Sequence, residues 1–396
     1  IKSGMKKSFF AAVLMFTSTA TFATNDITVG ETSSNQSEFG NEETVEYGML
    51  NSFIEKAAGI STASSMPEYG AKLTDYASVP KIGGYGISKY SWNSDDDKDA
   101  KEGFSQRLIR FYVDGTILKD FTYRFQMQFT NASPHMRDYF LEWGKYKEFR
   151  IKIGQFKRAF TFENPMNPWD VGTGDFSQLV KKLAGMGDYN GEPSSNGGRD
   201  QGIQFQGDLF PIGKDRHRLI HYQAMIANGQ GINSADANQH KDFIGTIQVQ
   251  PVKGLFLGVF GWTGNYTINN ITVDRKRYAI GAKYTWHDWV LRTEYGHSKG
   301  HKISDYRADG SWQGTGEADA FYATVGIPVV SWFNVYLKYD QYRDQATAAS
   351  RNTIYSVVPT FRLHKNLMLQ IQYNYNDNNI TNSTYHQVWI ETYFRF

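Results

Sequence analysis

Phe121-Thr122-Tyr123-Arg124-Phe125-Gln126-Met127-Gln128-Phe129 alternates without a break. Phe121, Tyr123, Phe125, Met127 and Phe129 share one face, and Thr122, Arg124, Gln126 and Gln128 share the other. A period of two marks a β-strand with one apolar side. Leu367 to Asn376 repeats the pattern, with Leu367, Leu369, Ile371, Tyr373 and Tyr375 against Met368, Gln370, Gln372 and Asn374. Alternation alone does not say whether the apolar face meets a protein core or lipid.

Working outward, the same reading places strands near 81–91, 104–115, 119–131, 137–144, 148–157, 200–210, 217–228, 241–251, 254–266, 274–285, 288–299, 317–328, 332–344, 352–363, 366–377 and 385–396. The links after even-numbered strands are tight, as around Thr116, Lys145, Trp286-His287 and His364-Lys365. The links after odd-numbered strands are longer and polar, as from Asn93 to Gly103, Ala159 to Arg199 and Gly300 to Gly316. Strict short–long alternation is what a barrel in an asymmetric membrane requires, with short periplasmic turns and long external loops. The 316 residues from 81 to 396 leave roughly 20 for each of sixteen strands and its link, room for the roughly 9–11 that a spanning strand needs. The expected fold is all-β: a 16-stranded antiparallel transmembrane β-barrel with an inward-folded third loop and a short N-terminal extension.

Composition is consistent with this and hides it. Mean hydropathy is negative, because lumen-facing polar residues offset lipid-facing apolar ones. Aromatics make up 15% of the 396 residues, and there is no Cys. After the N-terminal segment no stretch approaches 18 apolar residues, which excludes a helical membrane protein. From Met5 the chain reads MKKSFFAAVLMFTSTATFA, with Lys6 and Lys7 before a short apolar run from Phe9 to Phe16 and small residues at Ala20 and Ala23. Residues 1–23 are expected to be a cleaved secretory signal peptide. Residues 24–80 read as a polar N-terminal extension, either periplasmic or a small plug inside the lumen, with one candidate short helix over Thr44 to Ala58, and residues 81–396 as the barrel. In the last strand Val388, Ile390, Thr392, Phe394 and Phe396 share a face, which resembles the aromatic assembly signal of outer-membrane barrels.

Residues 104–163 carry more than periodicity. Phe104-Ser-Gln-Arg-Leu-Ile-Arg-Phe-Tyr-Val-Asp-Gly leads into Phe121-Thr-Tyr-Arg-Phe-Gln, then Asp138-Tyr-Phe-Leu-Glu-Trp and Phe149-Arg-Ile-Lys-Ile-Gly-Gln-Phe-Lys-Arg-Ala-Phe. This order resembles the phosphate-selective porin family of the O and P type, above all in Gly154-Gln-Phe-Lys157 followed by Phe160 and Glu163. The resemblance implies a homotrimer of 16-stranded barrels in a Gram-negative outer membrane. It also implies a basic lumen and a third loop that narrows it. Family members often carry Pro after the motif, where this chain has Arg158-Ala159, and its Arg and Lys residues are sparser.

Parity assigns the lumen. Arg124, Arg150, Lys152, Arg275, Arg277, Lys283, Arg292, Lys338, Arg362 and Arg395 fall on polar faces, with Glu142, Asp208, Glu294, Asp340 and Glu391. Arg107 and Asp114 are ambiguous because the pattern slips in strand 2, as at a bulge. The third loop adds Lys181, Lys182 and Arg199, together with Asp170, Asp175, Asp188 and Glu192. The pore-lining set is therefore read as Arg124, Arg150, Lys152, Lys181, Lys182, Arg275, Arg277, Lys283, Arg292, Lys338 and Arg362. A basic excess biases permeation toward anions. The constriction is expected where the loop meets strands 3 and 5, at Arg124, Arg150 and Lys152 with Lys181 and Lys182 opposite.

The expected function is passive diffusion of small polar solutes with a modest anion preference, and with phosphate specificity only if Arg124, Arg150, Lys152, Lys181 and Lys182 converge. One alternative is a channel for neutral oligosaccharides, which stack on aromatic rings; Phe140, Phe256, Phe260, Trp262, Tyr322, Tyr336, Trp389 and Tyr393 have the inward parity. The other is a non-conducting adhesin or structural barrel. No catalytic, cofactor, metal or nucleic-acid motif is present in the sequence. The expected partners are outer-membrane lipid, small anionic or polar solutes and further copies of the chain.

Overall fold

The structure is a computed structural model that describes residues 77–95, 101–130 and 134–396. The proposed signal peptide, the helix over Thr44 to Ala58 and the rest of the extension before residue 77 lie outside the described residues. Among the described residues no helix is long and apolar enough to cross a membrane.

Sixteen strands form one closed antiparallel barrel. They are β1 (Lys81–Asn93), β2 (Glu102–Ile117), β3 (Phe121–Gln128), β4 (His135–Tyr146), β5 (Phe149–Lys157), β6 (Arg199–Ile212), β7 (His217–Ala227) and β8 (Asp242–Val252). They continue with β9 (Leu255–Ile268), β10 (Ile271–Trp286), β11 (Trp289–Lys299), β12 (Glu317–Val330), β13 (Phe333–Asp344), β14 (Arg351–His364), β15 (Leu367–Asn378) and β16 (Ser383–Arg395). Each pairs with its neighbours in sequence, and β1 closes on β16 from Tyr85↔Arg395 to Asn93↔Gln387. At this seam the rings of Phe394 and Phe396 lie over Gly86 and Gly84, where any Cβ would come within 2.4 and 2.5 Å of them.

The alternating pattern resolves into two surfaces. Ile247, Val259, Ile280, Leu337 and Val357 point out of the barrel and are about half exposed. They form an aliphatic band between aromatic residues at the turn end (Trp286, Trp332, Phe396) and at the loop end (Tyr278, Tyr355, Tyr373). This is the lipid-facing girdle of a membrane barrel. In β15 the opposite face, Gln370, Gln372, Asn374 and Asn376, is buried inside.

The link pattern departs from expectation once. β9 and β10 run on to a two-residue turn, Asn269-Asn270, with φ of 49° and 64°. Two adjacent left-handed Asn residues suit a tight hairpin turn, whose twist matches the strands. The alternation of short and long links therefore fails at this external end. The slip in strand 2 is a bulge: Ile87 pairs with Leu108 and Ser88 with Gln106, so Arg107 has no opposite residue. A second bulge leaves Arg137 unopposed between Gln126↔Asp138 and Met127↔Met136.

Candidate functional site: the lumen and its constriction

The third loop, residues 158–198, folds into the barrel and is tied to the wall at successive points. On leaving β5, Arg158 is fully buried between Glu192 at 2.8 Å and Asp200 at 2.7 Å. Phe160 and Phe162 then pack edge-on against Trp262 and Phe260, with centroids 5.7 and 5.1 Å apart. The Glu294 carboxylate on β11 accepts from the backbone N–H of Phe162 at 2.6 Å and of Glu163 at 3.2 Å. The Glu163 carboxylate accepts from Ser177 N–H at 2.7 Å and from Arg292 at 3.1 Å. Farther on, Gly172 O accepts from Gln370 at 3.1 Å and Gly174 N–H donates to Gln372 at 2.6 Å.

One turn of helix, α1 (Gln178–Leu183), follows. Ser177 caps it, and the Gln178 N–H donates to Asp340 at 3.0 Å. Leu179, Val180 and Leu183 are buried with Ala318, Ala320 and Tyr322 of β12. Gly296 on β11 permits the approach, since a Cβ there would stand 2.4 Å from Leu179 Cδ1. The loop returns past Asp188, which takes a two-pronged ion pair from Arg277 at 2.6 and 2.7 Å. Breaking such a buried pair costs about 3–5 kcal/mol, because one charge is left without a partner.

These contacts sort the residues that parity assigned to the lumen. Arg275, Arg277, Arg292 and Lys338 lie on inward faces and are almost fully buried. Arg275 binds Glu192 at 2.8 Å and Gly229 O at 2.8 Å, and Lys338 pairs with Asp340 at 3.4 Å. Lys181 is paired with Asp175, and Lys182 stands 5.7 Å over the Tyr342 ring. Arg362 is exposed near the turn end of β14. Lys283 sits over the rings of Phe256 at 4.5 Å and Phe162 at 5.1 Å. Arg150 pairs with Asp208 at 2.8 Å, Lys152 with Glu142 at 2.9 Å, and Arg124 with Asp114 through two bonds of 2.7 Å.

The open space lies on the other side of the loop. A cavity of about 220 Å³ separates loop residues 158–167 from the inner wall of β2 to β6. Arg110, Arg124, Lys152, Lys157, Arg199 and Asp138 line it. A second cavity of about 550 Å³, lined by Phe162, Asp208, His221, Phe256 and Lys283, shares Pro165, Met166 and Gln223 with the first. The two are thus contiguous around the loop. Arg199 grips Asp138 at 2.8 and 2.9 Å. Arg110, Arg137 and Lys157 differ from every cation above, because their described partners are neutral oxygens. Arg110 donates to Tyr85 Oη at 2.8 Å and Gln128 Oε1 at 3.1 Å. Arg137 donates to Gln128 Oε1 at 2.9 Å and to Ser195 O. Lys157 donates to Asn164 O at 2.7 Å and Met166 O at 2.5 Å.

Sequence reasoning missed these three. Arg110 and Arg137 lie at or beyond bulges that break the parity count. Lys157 ends β5 and turns in with the loop; its place in the Gly154–Lys157 motif was the available signal.

No protein-family model matches the chain, and no curated protein matches it. Solved structures do. The anion-selective porin from Comamonas acidovorans superposes with a TM-score of 0.62, over 81% of this chain and 100% of its own, at 14% identity. OmpF of Salmonella typhi, in complex with daunomycin, gives 0.58 over 80% and 97%, at 13% identity. The outer-membrane channel DcaP of Acinetobacter baumannii gives 0.58 over 82% and 99%, at 13% identity. The likeness is one of fold, and the chain has the 16-stranded barrel fold of Gram-negative outer-membrane porins.

Proposed function

We propose that the protein is a passive outer-membrane porin, without catalytic activity, that admits small polar solutes and prefers anions. The observation that carries this reading is the contiguous cavity beside the third loop, whose narrower part is lined by Arg110, Arg124, Lys152, Lys157 and Arg199 against Asp138. Arg110 and Lys157 hydrogen-bond neutral oxygens, and the carboxylate beside them in the cavity, Asp138, is already gripped by Arg199. A charge in a narrow, poorly screened passage acts on ions more strongly than one at a wide mouth. The Comamonas acidovorans structure carries the description anion-selective, which accords with this reading.

General anion preference is favoured over strict phosphate selectivity. Arg150, Lys181 and Lys182 do not line the narrow cavity, so the five cations expected from sequence do not meet there. The oligosaccharide alternative loses support as well. Phe260, Trp262, Tyr322 and Tyr393 point inward but are buried and offer no continuous aromatic track. We also propose a homotrimer; one of the similar structures, OmpT of Vibrio cholerae, is described in a trimer form.

Planar-bilayer recording of the purified protein tests the reading. Discrete conductance steps and a zero-current potential of anion-selective sign in a salt gradient are expected. An absence of steps would leave a structural or adhesive barrel, and a cation-selective sign would refute the anion preference alone.

A further inference from the structure

Lys283 on β10 has neither an ion pair nor a hydrogen bond from its side chain among the described residues. Its ammonium stands over the rings of Phe256 and Phe162, at 4.5 and 5.1 Å. In the ladder it lies directly opposite Arg292 of β11, a second inward cation. Like charges in cross-strand register oppose each other, and Arg292 is already joined to Glu163 at 3.1 Å. The wall therefore holds a positive charge beside apolar rings with no carboxylate in contact to balance it.

Lys283 opens on the wider of the two lumen cavities, about 550 Å³ in volume. A space of that order encloses a small organic molecule. Its other charged groups are engaged elsewhere. Asp208 is taken by Arg150 and His221, each at 2.8 Å. Arg218 pairs with Glu148 at 3.2 Å, and His217 with Asp215 at 2.8 Å. Beside the one unpaired cation the lining is apolar: Phe256 on the wall, Pro165 and Met166 on the loop. The narrow cavity differs, because five cations crowd it and any small anion meets several of them.

We propose that this wider cavity is a binding subsite for small organic anions with an apolar body, a carboxylate or sulfonate carried on a ring or a short hydrocarbon. The anionic head meets the Lys283 ammonium, and the body lies along Phe256, Pro165 and Met166. A strongly hydrated inorganic anion gains the ion pair but leaves the apolar lining against its water shell. A neutral sugar gains no ion pair, and the Phe256 ring face on which it would stack is already covered by Lys283. Covering roughly 50 Å² of apolar surface corresponds to about tenfold in affinity. The cavity shares Pro165, Met166 and Gln223 with the narrow one, so an anion that passes the cations meets a second, different selection. The inference rests on the porin reading and names the class of solute that the passage retains.

Benzoate and acetate are the probes, since they share a head group and differ in the body. Their binding to the purified full-length protein is measured by equilibrium dialysis, and their effect on single-channel current by bilayer recording. Benzoate is expected to bind about tenfold more tightly than acetate and to interrupt the current at a correspondingly lower concentration. Lys283→Gln and Phe256→Ala should each remove most of that preference in the same detergent, and Lys283→Arg should keep it. Equal binding of the two probes, or a preference that survives both Lys283→Gln and Phe256→Ala, would overturn the proposal. Dialysis does not need conduction, which keeps the two readings apart. Current steps without a benzoate preference remove the subsite and leave the porin; a benzoate preference without steps keeps the subsite and removes the porin.

Discussion

The wall of β9 to β13 and the wall of β2 to β6 present similar inward sequences, polar and rich in Arg. They end in different states. Along β9 to β13 each inward Arg is buried and joined to a carboxylate or carbonyl of the third loop, as in Arg275–Glu192, Arg277–Asp188 and Arg292–Glu163. Along β2 to β6 the loop hydrogen-bonds Arg137 and Lys157 through backbone carbonyls alone, no loop carboxylate is among the described residues that line the cavity, and cations remain around that water-accessible space. An inward parity thus says that a cation faces the lumen. It does not say whether the cation guides ions or holds the loop. The loop decides, by the wall on which it spends its own acids.

The sharpest way to break the comparison is to detach the loop. Asp188→Asn leaves Arg277 buried opposite a neutral amide, at a cost of about 3–5 kcal/mol if the loop stays in place. A lower unfolding midpoint in denaturant, together with larger and noisier single-channel current, is the expected outcome. Unchanged conductance would show that the loop is held well enough without this anchor.

A smaller effect is expected from steric pressure on the same wall. Gly296→Val inserts a side chain where Leu179 now sits, and overpacking of this kind costs about 1–3 kcal/mol. The displaced α1 should move toward the open side and reduce conductance, the reverse of the first variant. Bilayer recording of the two side by side checks the sign.

The third effect separates a cation at the passage from one on the outer wall. A unit charge ~8 Å from an ion in water contributes about 0.5 kcal/mol, or roughly a twofold change in local ion concentration. Arg110→Gln and Lys157→Gln should each shift the zero-current potential toward cations by an amount of that order. Arg343 is paired with Asp319 on the outward face, so Arg343→Ala should leave the potential unchanged and cost only a few tenths of a kcal/mol in stability.

The fold was largely legible in sequence, because one face of each strand must satisfy lipid and the other water. Phe121 to Phe129 and Leu367 to Asn376 state that requirement residue by residue. The Asn269-Asn270 turn was misread because the two strands were ended at 266 and 274, although Ile268, Ile271 and Val273 carry them on to the turn. The site was much less legible. Arg275 and Lys152 have the same parity, yet one lies sealed against Glu192 and the other lines the cavity. That distinction depends on contacts such as Leu179 on Gly296, which join residues more than a hundred positions apart. Arg110 and Arg137 were hidden by the bulges beside them, since a single unpaired residue resets the count of faces.

The proposed path for solutes runs beside the third loop through the two contiguous cavities, narrowest against β2 to β6, while the β12 side is closed. Thiol access tests it most directly in a protein with no native Cys. Lys152→Cys places a thiol in the narrow cavity, and Ala320→Cys places one under α1. A bulky water-soluble thiol reagent added during bilayer recording should step the current down for Lys152→Cys and leave Ala320→Cys unaffected. Block of Ala320→Cys with no response from Lys152→Cys would contradict the account.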